Sequence, residues 1–398
     1  MNRMYPLIIG MLVLFTCTGC WDYRELDELA IIGAVGLDKN EEGEGYHVSL
    51  QIVNPKEVTA KATGYDTPVT VYEATEETIH KSFRKITEQM PRQAYSAHLR
   101  MVVIGEELAK DGIADVLDFL SRDHEMRSDF YFAVAKGLSA NEAIGVLTSL
   151  ENVPANKIFH SLEVSERIWG STIKTNINDL MSTLTTKGRN SVISGITITG
   201  PAEEGQTTKN LETTIEKAIL KYDGKAAFKR DRLVGWLNEE ESISHNFIDS
   251  KLKSTIIDVP CAEGLLGIEV LHTKTKIKGN MEKNKPTIKL DVKVEGNISD
   301  VECKVDLTKV DEINKIEKEA EKVLKNNFEK VIQKAQKELK TDIFGFGEAV
   351  HRAAPKTWKE IKDNWDTEFE DLPVDIHVHV RIPRIGTIKN PIQQDMKE

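Results

Sequence analysis

Cysteine is scarce in this sequence, four among 398 residues. That is too few for the disulfide framework on which small secreted domains depend, and a chain of this length can bury enough core without one. Long hydrophobic runs are missing as well. The N-terminal run Tyr5–Phe15 is shorter than the roughly 20 apolar residues of a spanning helix, and later candidates are broken by charges every few residues. Positive charge is in deficit: 53 Lys+Arg against 64 Asp+Glu gives −11, a poor balance for general binding to nucleic acid or anionic headgroups. Catalytic signatures are also lacking, with no G-x-S-x-G elbow, H-E-x-x-H, P-loop or EF-hand loop. Composition is otherwise globular, 40% hydrophobic and 29% charged, so the absences favour a binding or structural role over an enzyme.

The N-terminus carries the most specific signal that is present. MNRMYPLIIGMLVLFTCTGC has a basic start at Arg3, the apolar run, small residues at Thr18 and Gly19, and then Cys20. This predicts a lipoprotein signal peptide over residues 1–19, with Cys20 lipidated and made the new N-terminus. Cys17 stands where such sites usually have Leu. Removing residues 1–19 removes Arg3 and no acid, leaving 52 against 64, or −12. Attachment must then rest on lipid, and stable attachment implies more than one acyl chain. Of the remaining cysteines, Cys261 and Cys303 form one disulfide outside the cytoplasm or are two small buried residues; their spacing does not decide which.

Along residues 20–200 strand and helix patterns alternate. Leu29–Leu37 and Tyr46–Val53 flank EEGEG and predict a hairpin, with a short strand at Val69–Tyr72. Ile79, Phe83, Ile86 and Met90 share a helical face. Strands follow at Leu99–Ile104, Phe130–Ala135 and Val192–Thr199, and helices through Leu108–Leu120, Ala140–Leu150 and Asn176–Leu184. This predicts an α/β region around a mixed sheet, with enough helix to allow two subdomains. Residues 201–215, opening with PAEEGQTTKN, predict a polar connector. Residues 216–388 read differently. Asp223-Gly224 is a hairpin signal, Ile268–Ile277 and Thr287–Ile298 alternate as in an antiparallel meander, and Lys309–Leu339 carries the apolar stripe of one long helix. Val374–Ile382 alternates cleanly as a half-buried strand, and residues 389–398 predict a loose tail. The fold class is therefore multi-domain mixed α/β: an N-terminal mixed-sheet region, then a C-terminal antiparallel sheet packed by a long helix.

Two places invite chemistry. Gly345–Glu348 (GFGE) has a lone G-x-G after a helix, without the third glycine or the preceding strand of a dinucleotide loop; its glycines suit a sharp bend. Asp375, His377 and His379 share one strand face, but no cluster with ligand spacing accompanies them, so a solvated sheet face is preferred and neither metal nor cofactor is expected. Trp358, Ile361 and Trp365 lie at i, i+3 and i+7 and predict a buried helical face.

Three blocks carry a resemblance: CWDYRELDELAIIGAVGLD from Cys20, AAFKRDRLVGWL at Ala226–Leu237, and FGFGEAVHRAAPKTWKEIKDNWDTEFEDLPVDI at Phe344–Ile376. Together they resemble the Ger(x)C family of spore germination lipoproteins, the C subunits of nutrient germinant receptors, over nearly all of the mature chain. The resemblance implies a three-domain mixed α/β protein anchored through Cys20 to the outer face of the spore's inner membrane. It implies two partners, an A subunit with a large soluble domain plus membrane helices and a B subunit like an amino-acid transporter. A non-enzymatic role in committing the spore to germinate on sensing amino acids or sugars follows from it. The competing readings are a solute-binding lipoprotein, which needs two similar wound lobes around a cleft, and a surface hydrolase, which needs a nucleophile and base in one pocket.

Overall fold

A computed structural model of the chain describes residues 25–58, 66–123, 125–261, 264–283 and 285–384. Cys20 and the tail at 389–398 lie outside the described residues. The first half runs β1 Leu29–Lys39, β2 Tyr46–Val53, β3 Val69–Glu76, α1 Ile79–Ile86, β4 Gln93–Tyr95, β5 Met101–Gly105, α2 Glu106–Asp111, α3 Ala114–Arg122, β6 Tyr131–Ala135, α4 Ala140–Gly145, α5 Pro154–Ile168, α6 Ile177–Thr185 and β7 Val192–Thr199. It continues with α7 Ala202–Gly205, β8 Ile219–Lys229, β9 Arg232–Leu237 and α8 Glu239–Ile248. The rest is β10 Ile256–Cys261, β11 Gly264–Glu282, β12 Lys285–Val301, α9 Val310–Lys334, α10 Phe346–Ala353, α11 Pro355–Ile361, α12 Trp365–Glu370 and β13 Val374–Arg384.

The first sheet has the order β3-β2-β1-β5-β6-β7-β8-β9, with β4 beside the start of β1. β1, β5, β6 and β7 are parallel, while β2, β3, β8 and β9 add antiparallel strands at the flanks. The sheet is mixed, as the opening hairpin predicts. Central strands such as MVVIG are apolar without alternation because both faces are covered. Val102, Ile104, Phe132 and Val134 face a core that includes Ile79 of α1, Val116 of α3 and Leu180 of α6, whereas Met101, Val103 and Ala133 face α4 and α5. Helix enough for two subdomains is thus housed on two faces of one sheet.

The connector differs from its expectation. Pro201–Asn210 contains α7 and a turn of 3₁₀ helix, and buried Asn210 donates to the carbonyls of Leu147 and Ala218 (2.8 and 3.0 Å) while accepting from Ala218 N. Beyond it β8 pairs with β7, so the first sheet runs on to Leu237 and the change of sheet falls after α8. Asp223-Gly224 is not the hairpin turn, which lies at Arg230–Asp231. It is an irregularity within β8, where Ser194 pairs with Lys225 but Ile196 with Tyr222. Gly224 has φ +69°, and a β-carbon there would lie 2.2 Å from the Leu237 carbonyl oxygen, so only glycine suits this bulge. Helices α5 and α8 and strand β10 are additions to the sequence reading.

The second sheet has the order β10-β11-β12-β13. Helix α9 crosses its inner face through Ile316, Ala320, Leu324, Phe328, Val331 and Ile332, while Val310 of the expected stripe is exposed. Ile376, Val378, Val380 and Ile382 point inward from β13 as their alternation predicts. One pair departs from an all-antiparallel meander: the helical crossover α9–α12 returns the chain to its starting end, so β13 runs parallel to β12. Its outer edge is closed by α9, where Val380 N and Ile382 N donate to Glu321 and Glu317 (3.1 and 2.7 Å). Cys261 and Cys303 are disulfide-bonded, with Cα atoms 6.2 Å apart.

Candidate functional site

The motif-rich block around GFGE builds a node rather than a cofactor loop. Asp342 is buried at the head of α10, and five donors converge on it. Phe344 N, Gly345 N and Phe346 N reach Oδ1 at 3.0–3.1 Å, while Gly347 N (2.8 Å) and Trp365 Nε1 (3.0 Å) reach Oδ2. Burial pushes its carboxyl up to about 6 while these donors pull it down, so at neutral pH it is ionised and answers the unpaired amides of the first turn of α10. The same loop reaches the first sheet: Asn190 N donates to the Asp342 carbonyl (2.7 Å), and Thr341 Oγ1 to the Phe228 carbonyl (2.9 Å). A β-carbon on Gly347 would lie 2.4 Å from the Cα of Gly188. Glycine at this position therefore lets the two backbones meet.

Aromatic rings enclose the node. Phe344 and Phe346 stack at 5.1 Å, and Trp358 meets Trp365 edge-on at 5.2 Å. Both tryptophans are nearly inaccessible, 4% and 3% exposed, so their face belongs to the core. The expected single helix is broken by a 3₁₀ turn at Lys362–Asn364, which leaves Ile361 half-buried against the same cluster.

A second buried polar group sits beside the seam. Lys225 Nζ donates to the Ser242 carbonyl (2.9 Å) and to Asn246 Oδ1 (2.6 Å), and Asn246 donates in turn to the carbonyls of Gly170 and Thr172. Burial lowers the Lys225 amine to about 7, opposed by the charges of Asp249 and Glu166. Burial likewise holds His245 well below its ordinary range, so the neutral ring donates from Nε2 to the Ile343 carbonyl at 3.2 Å. Because the folded pKa of Lys225 lies below its ordinary 10.5, the unfolded chain binds a proton between pH 7 and 10.5 that the folded chain does not. Stability from this group therefore rises with pH across that window and is lost as pH falls through 7. Chemical denaturation at pH 7 and 9.5 should show a rise of about 3 kcal/mol in the native chain that a Lys225→Met chain lacks; equal rises in both chains would refute it.

The remaining candidates separate in space. His377 pairs with Asp375 (2.8 Å) and His379 lies 3.9 Å from Glu321, so the three strand-face residues do not converge. No group of three or more potential ligands that could hold a metal occurs among the described residues. A cleft of about 570 Å³ runs between α1 and α3, with Phe83 and Phe119 5.3 Å apart on its floor. At its rim the Tyr46 hydroxyl donates to Asp115 (2.9 Å); burial and then Asp115 push it up to about 12. No described helix is long and apolar enough to cross a membrane. Sequence reading singled out the glycines and tryptophans of the node but not Asp342 or Lys225, because a lone charge without periodicity carries no local signal of burial.

Residues 22–198 match the family described as "Spore germination protein N-terminal domain", and residues 223–386 match "Spore germination B3/GerAC like, C-terminal". Spore germination protein KC of Bacillus subtilis (strain 168) is 34% identical over 98% of this chain and 98% of its own length. Spore germination protein B3 of the same organism is 26% identical over 94% of this chain and 96% of its own. The crystal structure of the GerBC protein superposes with a TM-score of 0.58 at 21% identity, covering 88% of this chain and 96% of that one; it shares the mixed α/β fold.

Proposed function

This chain belongs to the Ger(x)C family of spore germination proteins, and on that footing we propose that it is the C subunit of a nutrient germinant receptor. In this reading it is a non-enzymatic lipoprotein, held through Cys20 on the outer face of the spore's inner membrane and assembled with an A and a B subunit. The observation that carries the reading is the end-to-end likeness to spore germination protein KC, which spans both halves of the molecule. The Cys261–Cys303 disulfide supports an oxidising, extracytoplasmic setting. Three strongly perturbed groups, Asp342, Lys225 and His245, are buried in the core rather than facing a cleft, which supports a structural use for them over acid–base catalysis. A solute-binding lipoprotein would need a second doubly wound lobe, and a four-stranded sheet under one long helix is not that.

Deleting the gene in its parent spore former should abolish the response to at least one nutrient class, and restoring the chain should recover it; unchanged nutrient germination would overturn the proposal. Affinity capture from dormant-spore membranes should return the A and B subunits. A Cys20→Ala chain should lose membrane fractionation by about tenfold or more. Mass spectrometry finding a free thiol at Cys20 of the mature chain would refute the anchor.

A further inference from the structure

One part of the outer face of the second sheet, across β11, β12 and β13, departs from the charge of the rest of the molecule. Register places Lys278, Lys289 and Asp375 in one row, Lys276, Asp291 and His377 in the next, then Lys274, Lys293 and His379, then His272, Glu295 and Arg381. Alternation turns these side chains away from the core that α9 covers, with His379 at the β13 margin 3.9 Å from Glu321 of α9. Across these four rows six cations (Lys274, Lys276, Lys278, Lys289, Lys293 and Arg381) face three anions (Asp291, Glu295 and Asp375), a local balance of +3 on a chain whose total is −11. Beyond them the face turns acidic toward β10, where Glu269 and Asp258 also point outward, and at the other end Glu282 lies opposite Lys285. Lys274, Lys276, Lys278 and Lys293 are exposed, and among the described residues none has an ion-pair partner within 4.0 Å. In a protein with surplus acid, four unneutralised lysines on one flat face are a selective feature rather than a random scatter.

The start of β1 and the fastening of the second unit share one end of the first sheet. β1 is parallel to β5, β5 to β6, and β6 to β7, so Leu29 and Val192 begin at the same end of the first sheet. The second unit is fastened at that end, through Asn190 to Asp342 and Phe228 to Thr341. Eight residues separate Cys20 from Leu29, nine Cα-to-Cα steps with a reach of at most about 30 Å.

We propose that this lysine-rich sheet face docks on anionic lipid headgroups and turns the body toward the bilayer. The orientation rests on the anchor at Cys20 proposed above; the charge complementarity does not. The face carries no aromatic side chain to serve as the buried anchor of a protein interface, whereas spaced, unpaired lysines suit a fluid array of phosphates.

The test uses the chain from Trp21 onward without lipid, since both sheets lie within residues 25–384. Binding is measured by co-sedimentation with vesicles of phosphatidylcholine alone or with 40% phosphatidylglycerol. The native chain should partition at least tenfold better onto the anionic vesicles in 50 mM salt, and 500 mM salt should abolish the difference. Each lysine near an anionic surface adds roughly fivefold, so Lys274→Glu with Lys276→Glu and Lys278→Glu should weaken binding about 100-fold while leaving the melting curve intact. Equal partition onto both vesicle types, or undiminished binding by the triple variant, overturns the proposal. Binding of a soluble acidic protein without vesicle binding does so too. Because the probe carries no acyl chain, failure here leaves the Cys20 anchor standing, and a free thiol at Cys20 would leave a positive vesicle result standing.

Discussion

Asparagine in place of Asp342 should destabilise the folded body by about 2–5 kcal/mol, read as a lowered denaturation midpoint at unchanged slope. The carboxylate offers two acceptor oxygens to five N–H groups and no donor of its own. An amide at the same place keeps one oxygen and turns an NH₂ toward Gly347 N and Trp365 Nε1, leaving two buried donors without acceptors. Each such orphan costs about 1–3 kcal/mol. Alanine should be worse, because it strands all five. The loss should also cross from one sheet to the other, since the loop that Asp342 shapes supplies the bond to Asn190 and presents Thr341 to Phe228. Hydrogen exchange should therefore report loosened protection at the starting end of β7 as well as in α10. An Asp342→Asn chain with native stability and native exchange would show that the node is ornamental.

Truncating Trp365 to alanine should cost about 3–5 kcal/mol. The ring is buried, meets Trp358 edge-on and Phe369 at 6.5 Å, and donates to Asp342. Trp365→Phe separates the two contributions: it keeps most of the packing, loses the donor, and should cost about 1–2 kcal/mol. Combined with Asp342→Asn it should cost less than the sum, because one contact is removed twice. If Trp365→Ala melts like the native chain while receptor assembly in spores fails, this face is a docking surface and the burial argument is wrong.

What could be read in the sequence follows from where neighbours lie along the chain. The β1–β2 hairpin, the α9 stripe and the alternation of β13 are patterns of adjacent residues against a single buried face, and all three were legible. Helix α5 was not. Its buried positions, Pro154, Ala155, Ile158 and Leu162, are accompanied by exposed Val164 and Ile168, which blur the stripe. Asp223-Gly224 misled because a turn dipeptide and a bulge make the same demand for positive φ, and only the partner strand tells them apart. The polar connector read as a linker because Asn210 looks soluble until the two carbonyls it serves are known. The tryptophans of the node were visible as a helical face, but Asp342 was not, since its donors come from its own loop and from a residue 23 positions away.

The closed margin of β13 has a consequence for how anything can approach this molecule. Two of its outward amides are already held by Glu317 and Glu321, and on the opposite margin β10 carries Pro260, which has no amide to offer. A partner that recognises others by laying down a strand meets an interrupted row of amides on both margins. Two copies crowded side by side are protected from merging their sheets for the same reason. Contacts with this half of the body must be made through side chains on its faces, where charge and shape can discriminate, rather than through backbone that every protein shares.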